Sequence, residues 1–317
     1  MKKSSNQSLN SAKSAKQDEF YTQLGDIEKE LKHYAAQLQG KVILCNCDDP
    51  FESNFIKYFT LNFNALGIKK LIATGISCEG YMVEIDGGGI YNARQLKGDG
   101  IYGAGDFRSD ESIQLLKQAD IVVTNPPFSL FREYVAQLVA HDKKFLIIGA
   151  KSAITYSGVF PLIKSNKLRV GVRAFSSGMW FVPGDPSEHG KIVDGVKLVS
   201  IPAIWFTNLD HARHREKITL SKKYTPTEYP KYDNYDAIEV GKVADIPADY
   251  DGVMGVPITF LDKYNPEQFE IVGATESEGK GFSNGLWRGS VAQAVVNGKR
   301  VYKRLFVKRV DDTVNMA

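Results

Sequence analysis

Asp120-Ile-Val-Val-Thr124, followed directly by Asn125-Pro-Pro-Phe128, gives the strongest indication of the fold of this 317-residue chain. The apolar run predicts a buried strand, and the two consecutive prolines end it in a rigid loop. Open α/β sheets bind their ligands in such loops, at the carboxyl ends of their strands. Because strands and helices alternate on both sides of this stretch, the sequence predicts an α/β fold with a doubly wound, mainly parallel sheet covered on both faces.

The loop carries groups that suit a planar amine. The side-chain oxygen of Asn125 and the main-chain carbonyl of Pro126 can both accept hydrogen bonds from one exocyclic NH2 group, and the Phe128 ring offers a stacking face. An amine that fits is N6 of adenine, which makes Asn125, Pro126, Pro127 and Phe128 the predicted catalytic set. In a plainer interpretation, Asn-Pro-Pro only ends the strand and Phe128 lies in the core.

The chemistry of this amine indicates a second substrate. An adenine amine attacks a methyl donor poorly because its lone pair is delocalised into the ring. Two acceptors that draw its hydrogens into a more tetrahedral arrangement overcome this without a strong base. The remaining step is in-line displacement at a sulfonium methyl group, which depends on holding the two reacting atoms at near-attack distance. The expected donor is S-adenosylmethionine.

Three further segments resemble motifs of DNA adenine-N6 methyltransferases. They are Asp18-Glu-Phe-Tyr-Thr-Gln23, Cys45-Asn-Cys-Asp-Asp-Pro50 and Gly105-Asp-Phe107. Their order, with Asn125 to Phe128 following, matches the γ arrangement, and the chain resembles the EcoRI modification methyltransferase family. The resemblance implies the class I S-adenosylmethionine-dependent methyltransferase fold, a double-stranded DNA substrate, and rotation of the target adenine out of the helix.

The resemblance also implies a donor site at the carboxyl edge of the sheet. In the loop after the first strand, Asp48 or Asp49 is expected to pair with the donor's ammonium group, unless both cap the helix that begins near Phe51. Asp106 is expected to accept a hydrogen bond from the donor's adenine amine, or else to cap a helix. The expected donor-binding residues are Phe20, Tyr21, Thr22, Asn46, Cys47, Asp48, Asp49, Thr74, Asp106, Phe107 and Asn125.

Periodicity places these motifs on helices and strands. Apolar residues at helical spacing predict a helix from Ile27 to Leu38, closed by Gly40, before a first strand at Lys41-Val-Ile-Leu-Cys45. The other predicted elements are a helix over 51–66, a strand at 71–73, a hairpin over 81–90, a helix ending near Ala119 and capped by Ser109 or Asp110, a helix over 129–139, a strand at 145–148, and two closing strands over 197–208 that form a hairpin broken at Pro202.

Composition is that of an enzyme with two lobes. The chain is 43% hydrophobic and has a net charge of +3, so a nucleic-acid surface must come from local clusters of basic residues. No apolar run approaches the roughly 18 residues of a membrane span, and the start lacks a signal-peptide apolar region, so a cytoplasmic protein without membrane contact is expected. The three cysteines fit neither a disulfide framework nor a metal site and are expected to be buried thiols.

Three regions are expected along the chain: a flexible basic arm over 1–17, a catalytic domain over 18–210 and a target-recognition region over 211–317. The candidates for DNA contact are Lys13, Lys16, Arg213, Arg215, Trp287, Arg288, Lys303 and Arg304. Alternatives are a solvated arm, an edge strand protected by the bases of 300–309, and a core tryptophan in a tight turn. His211 is expected to be solvated.

The expected function is site-specific transfer of a methyl group from S-adenosylmethionine to adenine N6 in duplex DNA. The alternatives are methyl transfer to RNA adenine or to a protein glutamine amide, and a catalytically inactive DNA-binding relative. A further partner to consider is a cognate restriction endonuclease that acts on the same DNA site without forming a complex.

Overall fold

The structure is a computed structural model that describes residues 20–76, 80–87, 91–183, 189–275, 282–283, 285–289 and 291–310. The expectations for Lys13, Lys16 and Cys78 fall outside these residues.

The chain forms two compact units. The first runs to Lys151 and also contains Gly171–Arg173 and Ser177–Leu209. The second contains Ser152–Val170, Ala174–Ser176 and the chain from Asp210 onward. Residues 152–170, which we expected within the catalytic domain, therefore group with the second unit.

The α-helices are short, and most lie in the first unit: α1 Leu24–Leu31, α2 Ala35–Leu38, α3 Asn54–Leu61, α4 Phe63–Leu66, α5 Asp110–Gln118, α6 Phe131–Ala140 and α7 Phe160–Lys164. Single 3-10 helices lie at Phe128–Leu130, Lys151–Thr155, Phe175–Ser177, Ala212–Arg215, Val243–Asp245 and Ile258–Lys263.

The strands, in chain order, are β1 Phe20–Thr22, β2 Val42–Cys45, β3 Lys70–Thr74, β4 Tyr81–Asp86, β5 Tyr91–Gln95, β6 Ile121–Thr124, β7 Lys144–Ala150, β8 Arg169–Val170, β9 Met179–Pro183, β10 Lys191–Val193, β11 Val196–Ile201, β12 Ala203–Thr207, β13 Ile238–Glu239, β14 Met254–Pro257, β15 Phe269–Ala274, β16 Val295–Val296, β17 Lys299–Arg300 and β18 Arg304–Arg309.

The first unit is built on a mixed sheet in the order β5-β4-β3-β2-β6-β7-β12. Its central strands β3, β2, β6 and β7 run parallel, whereas β4, β5 and β12 run antiparallel to their neighbours. The expectation of a mainly parallel sheet is therefore wrong for the outer strands. Only residues 75–80 join β3 to β4, and parallel neighbours need a crossover of about a dozen residues or more.

The core of this unit surrounds β2. Ile43 and Cys45 belong to one hydrophobic cluster with Leu31 of α1 and Phe55 of α3. Leu44, which points to the opposite face, is also fully buried. On that opposite face, a Cβ atom at Gly149 of β7 would lie 2.3 Å from the Phe131 ring of α6. Glycine at this position therefore allows α6 to pack directly on the sheet.

Several helices begin or end where local signals predicted. The Ser109 hydroxyl caps α5 by accepting a hydrogen bond from the Ser112 amide, which confirms the predicted cap. The predicted helix over 51–66 is divided at Asn62, whose side chain donates to the Tyr58 carbonyl at 2.8 Å. Such side-chain bonds to the backbone compete with helix continuation.

The predicted helix over 27–38 is also divided, into α1 and α2. The division coincides with a tertiary contact near the end of α1. The Glu30 carboxylate is fully buried, where it accepts hydrogen bonds from the amides of Val172 and Arg173 at 2.6 and 2.8 Å and from the Tyr34 hydroxyl at 2.9 Å. These partners lie far away in sequence or beyond the end of α1, so periodicity could not reveal them.

Two predicted hairpins have different outcomes. β4 and β5 pair as predicted from the glycine-rich segment, although the pairing continues to Gln95. The predicted hairpin over 197–208 is wrong. β11 pairs with β9 in a second sheet of order β1-β9-β11-β10, whereas β12 pairs with β7 in the main sheet. Pro202, which lacks an N–H donor, lies where the chain passes from one sheet to the other.

The second unit contains a sheet in the order β13-β14-β18-β15. The basic strand β18 pairs on both sides, with β14 and with β15. The alternative that its bases protect an edge strand is therefore wrong. Leu305, Phe306 and Val307 of this strand are fully buried.

Among the residues that the structure describes, no helix is long and apolar enough to cross a membrane.

Candidate functional site

The carboxyl ends of β2, β3 and β6 bring three of the predicted segments together. The Asp48 amide, in the loop after β2, donates to the carbonyl of Thr74 at the end of β3 at 3.3 Å. The neighbouring Cys47 amide donates to the hydroxyl of Thr124, the last residue of β6, at 3.2 Å. Asn125 follows Thr124 directly. Parallel strands therefore place the predicted donor loop beside the predicted catalytic loop.

Asp48 is the best-connected side chain at this edge. Its Oδ1 atom accepts a hydrogen bond from the Ser53 hydroxyl at 2.9 Å, and its Oδ2 atom accepts one from the Thr124 hydroxyl. The backbone amide of Asn125 also donates to this carboxylate. Burial raises the pKa of Asp48 to about 6, because removal from water penalises the charged form more than these bonds favour it.

Asp49 has a different role. Its Oδ1 atom accepts hydrogen bonds from the amides of Phe51 and Glu52, at 2.8 and 3.2 Å. The Ser53 side chain then caps α3 by accepting from the Phe55 amide at 3.1 Å. Asp49 thus adopts the turn-capping geometry that we named as the alternative to donor binding.

Helix α6, which follows the Asn125–Phe128 loop, holds two of the motif loops in place. The hydroxyl of the fully buried Tyr134 donates to Oδ1 of Asn46, and its ring lies edge-to-face against Phe107 with centroids 4.9 Å apart. The Gln137 side-chain nitrogen donates to the Phe107 carbonyl at 3.1 Å. Neither Tyr134 nor Gln137 was predicted from the sequence, although two polar side chains three residues apart lie on one face of a helix.

The Gly105-Asp-Phe107 segment packs tightly against the end of β3. Gly105 has a φ of +78°, and a Cβ atom there would lie 2.4 Å from the carbonyl oxygen of Gly75. Only glycine combines this left-handed backbone with so close an approach. The resulting turn leaves Asp106 and Phe107 buried beside the loop after β3.

The carboxylate of Asp106 is largely occupied by Arg108, which the sequence analysis also missed. Its Oδ1 atom accepts from the Arg108 amide and from Nε, both at 2.9 Å, and its Oδ2 atom accepts from the guanidinium at 2.7 Å. Arg108 also lies 3.3 Å from Glu133 and over the Tyr102 ring. Since a carboxylate can accept about four hydrogen bonds, Asp106 retains capacity for about one more.

Among the buried polar atoms with no hydrogen-bond partner in the described part of the protein are Thr22 Oγ1, Asn46 Nδ2 and Thr74 Oγ1. Thr22 is joined to α3 by a hydrogen bond from the Asn54 side chain to the Thr22 carbonyl at 2.8 Å. Buried polar atoms without partners are rare because they lose their hydration. Asn46 and Thr74 lie at the carboxyl ends of the neighbouring strands β2 and β3, where a polar ligand would complete their hydrogen bonding.

The remaining donor-site expectations concern β1 and the thiols. Phe20, Tyr21 and Thr22 form β1, whose residues pair with β9. Cys45 is buried as expected, whereas Cys47 is only partly buried. Removal from water raises the pKa values of both thiols well above their usual range, which keeps them neutral. In the described residues, no cluster of three or more His, Cys, Asp or Glu side chains could hold a metal ion.

The predicted catalytic loop runs from the end of β6 into the 3-10 helix that precedes α6. Pro126 is buried, while Asn125, Pro127 and Phe128 are partly buried. Phe128 begins a 3-10 helix and packs partly against the main core cluster. Phe128 therefore packs against the core, as in the plainer interpretation, but the residue is only partly buried.

The basic residues predicted to contact DNA differ in their surroundings. Arg215 is exposed and pairs with Asp210 at 3.0 Å, and Arg213 is partly buried. Lys303 donates to the Thr155 hydroxyl at 2.9 Å. Arg288 is exposed and lies 3.2 Å from Asp236.

Trp287 donates from its indole nitrogen to the Val291 carbonyl at 2.9 Å and packs partly against a core cluster of the second unit. This is the core alternative considered for it.

Two expectations in the second unit are wrong. Arg304 is buried, with its guanidinium 2.6 Å from the Glu239 carboxylate, so it is not available to a phosphate as predicted. Its place on a central strand directs the side chain into the unit. His211 is also buried rather than solvated, and its Nε2 atom lies 3.1 Å from the Val170 carbonyl.

Comparison with known proteins identifies the family. Residues 8–310 match the model described as "Adenine-specific methyltransferase EcoRI". The chain is 47% identical to the type II methyltransferase M.EcoRI of Escherichia coli, over 96% of each chain. It is 39% identical to the type II methyltransferase M.MgeORF184P of Mycoplasma genitalium, over 95% of this chain and 98% of that one.

A third relative is the type II methyltransferase M.MpnI of Mycoplasma pneumoniae, 42% identical over 83% of this chain and 84% of that one. No solved structure matches the chain. The match spans the β1 segment, the loop after β2, the Asn125–Phe128 loop and most of the second unit, and it confirms the resemblance inferred from those motifs. The chain belongs to the EcoRI family of adenine-specific methyltransferases.

Proposed function

We propose that this enzyme transfers a methyl group from S-adenosylmethionine to N6 of adenine in duplex DNA, at a specific sequence. The observation that carries the proposal is the position of the Asn125–Phe128 loop. It follows the central parallel strand β6 and adjoins the loop after β2, where buried polar atoms have no partner in the described protein.

The residues at the edge of the sheet suit the donor. When bound, S-adenosylmethionine supplies an electrophilic methyl group on a sulfonium centre. Thr22, Asn46 and Thr74 would provide hydrogen-bonding atoms that lack protein partners. Asp106 would use its remaining acceptor capacity for an adenine amine, with Phe107 close by.

Asn125 and Pro126 would act on the target amine. The Asn125 side-chain oxygen and the Pro126 carbonyl accept its two hydrogens, which turns the nitrogen lone pair away from the ring and toward the methyl group. The two prolines restrict the loop, so that little reorganisation is needed when the base arrives. No strong base is required for the attack.

The target base must leave the helix, because its N6 group is paired inside duplex DNA. Extrusion of a base costs a few kcal/mol. Stacking on an aromatic ring recovers roughly 1–3 kcal/mol per base, and the partly buried Phe128 would provide this contact.

Target recognition is assigned in this proposal to the second unit. Arg288 lies on a loop whose backbone is held by Asn234: the Arg288 amide donates to the Asn234 carbonyl at 2.7 Å, and the Asn234 side chain donates to the Val291 and Gln293 carbonyls. An exposed arginine on a well-bonded loop is suited to guanine, whose major-groove edge offers two acceptors. Arg213, Arg215 and Lys303 would contact phosphates, together with Lys13 and Lys16 of the arm.

Methyl transfer to defined oligonucleotides tests the proposal. Purified protein is incubated with a donor carrying a radioactive methyl group and with duplex DNA, single-stranded DNA or RNA, and the product is mapped for N6-methyladenine. We expect duplex DNA to be methylated at one recurring sequence. Methylation of RNA alone would replace the proposed substrate, and donor binding without any transfer would indicate an inactive relative.

Two variants of the loop test the role of Asn125. Asn125→Ala removes the side-chain acceptor and should abolish turnover while donor affinity changes little. Asn125→Asp keeps an acceptor at the same reach and should retain part of the activity. An alanine variant as active as the wild-type protein would exclude Asn125 from catalysis.

A further inference from the structure

The Asp48 carboxylate connects the loop after β2 to the end of β6. On one side it accepts a hydrogen bond from Ser53, the cap of α3. On the other side it accepts from the Thr124 hydroxyl and from the backbone amide of Asn125. Thr124 and Asn125 lie 76 and 77 residues further along the chain. One side chain therefore joins two loops of the site that are distant in sequence.

These bonds leave little of the carboxylate for a ligand. Both oxygens are used within the protein, and only 9% of the residue is exposed. A donor ammonium could use only the one acceptor position that these three bonds leave, on a carboxylate that is almost closed to solvent. The geometry thus favours an internal role for Asp48 over the ammonium contact expected from the family.

The Thr124 hydroxyl is held from two sides. It donates to Asp48 and accepts from the Cys47 amide at 3.2 Å. The residue that follows is Asn125, and the one after that is a proline. A residue before proline has a restricted backbone, and proline itself has a fixed φ angle. With Thr124 fixed at one end and Pro126 at the other, the backbone of Asn125 has almost no freedom left.

We propose that Asp48 and Thr124 are positioning residues. They set the orientation of Asn125, so that its side-chain oxygen can accept a hydrogen bond from the adenine amine as that amine attacks the methyl group. The inference rests on the proposed function, because it assigns a role relative to that reaction. Neither side chain touches the reacting atoms. Their contribution is to hold the Asn125 oxygen where the amine arrives, and a misplacement of about 1 Å can cost roughly a hundredfold in rate.

Three variants separate this role from donor binding. Thr124→Val keeps the shape of the side chain and removes the hydroxyl, Thr124→Ser restores the hydroxyl, and Asp48→Asn keeps the size of the side chain and removes its charge. Glu52→Gln, an exposed acid of the same loop, is the matched control for loss of charge. Single-turnover methylation rates are measured at saturating donor, and donor dissociation constants are measured by calorimetry.

We expect Thr124→Val and Asp48→Asn to react roughly a hundredfold more slowly than the wild-type protein. Donor dissociation constants should stay within about threefold, and Thr124→Ser should recover most of the rate. A role confined to folding would not produce this separation of rate from affinity, nor rescue by serine. If Asp48→Asn instead weakens donor binding and reacts normally at saturation, Asp48 is a donor ligand and the proposal is overturned.

A readout without catalysis distinguishes failure of this inference from failure of the proposed function. In protein labelled with nitrogen-15 at asparagine, the side-chain amide resonance of Asn125 is identified by its absence from Asn125→Asp. It should shift or broaden in Thr124→Val and Asp48→Asn and return toward its wild-type position in Thr124→Ser. An unchanged resonance in the valine variant would overturn the positioning role, even for a protein that methylates another substrate.

Discussion

The guanidinium of Arg108 lies 2.7 Å from the carboxylate of Asp106, two residues earlier in the chain, and makes a forked contact with it. Asp106 is the acid that we propose to hold the donor's adenine amine. Its orientation is therefore set by a neighbour that carries no part of the family motif. Because the fork occupies both oxygens, it also determines which acceptor positions remain for a ligand.

Arg108→Ala should weaken donor binding by about 1–3 kcal/mol, because the buried carboxylate loses its hydrogen-bond partners and its fixed direction. Arg108→Lys should recover only part of this, since lysine keeps the charge but not the planar fork. Donor titrations by calorimetry measure both, with Lys117→Ala, an exposed lysine of α5, as control. Wild-type affinity in the alanine variant would show that this contact does not organise the donor site.

Phe128→Leu should reduce capture of the target base while leaving the fold intact. Leucine preserves the apolar contact with the core cluster but removes the aromatic face, so a loss of roughly 1–3 kcal/mol is expected. Phe128→Tyr should be nearly neutral. Fluorescence of 2-aminopurine at the target position should rise on binding to the wild-type and tyrosine proteins, and less with leucine. Equal brightening with all three would argue against stacking on this ring.

Arg304→Ala should lower the stability of the second unit, and it should not remove a contact with DNA. Arg304 and Glu239 form a buried ion pair, and the Tyr232 hydroxyl also donates a hydrogen bond to the Glu239 carboxylate. Removing one partner of such a pair costs roughly 3–5 kcal/mol, because the other charge stays buried. Urea unfolding measures this loss, with Lys308→Ala, an exposed base of the same strand, as control. Unaltered stability together with a flatter salt dependence of DNA binding would restore the original expectation for Arg304.

Stability should fall at mildly acidic pH because of His214. Burial, followed by the charge of Arg169, lowers its pKa to about 3, and its Nε2 atom lies 3.0 Å from the Asn166 side-chain oxygen. The unfolded chain binds a proton on this histidine near pH 6.5, whereas the folded chain does not. The contribution of neutral His214 to the free energy of unfolding is therefore fully present above about pH 6.5 and is lost as the pH falls toward 3. At pH 5 the loss is at most about 2 kcal/mol.

His214→Gln keeps a hydrogen-bonding side chain that does not titrate. We expect the free energy of unfolding to change less between about pH 7 and about pH 5 in this variant than in the wild-type protein. The exposed His189 provides the matched control, His189→Gln, whose pH dependence should follow the wild type. Parallel curves for wild type and His214→Gln would remove His214 as the source of acid sensitivity.

Local signals were sufficient for the elements that carry the motifs. The apolar run before Asn125 is β6, the apolar segment ending at Cys45 is β2, and Ser109 caps α5 as predicted. These features depend on the chain's own periodicity, proline geometry and capping, which act over a few residues. The motif loops follow from the same signals, whereas the family was indicated by the resemblance of their sequences to known motifs.

The partners of those loops were decided by the tertiary structure alone. The sequence could not show that Asp48 meets Thr124, that Tyr134 reaches Asn46, or that β18 lies inside a sheet and buries Arg304. Whether a charged side chain faces water or a buried partner depends on which distant strands pair, and that choice is made by the packing of the whole unit. Short-range signals in the chain were therefore enough to predict the motifs and their expected chemistry, whereas the side chains that hold the motif loops in place follow from tertiary packing.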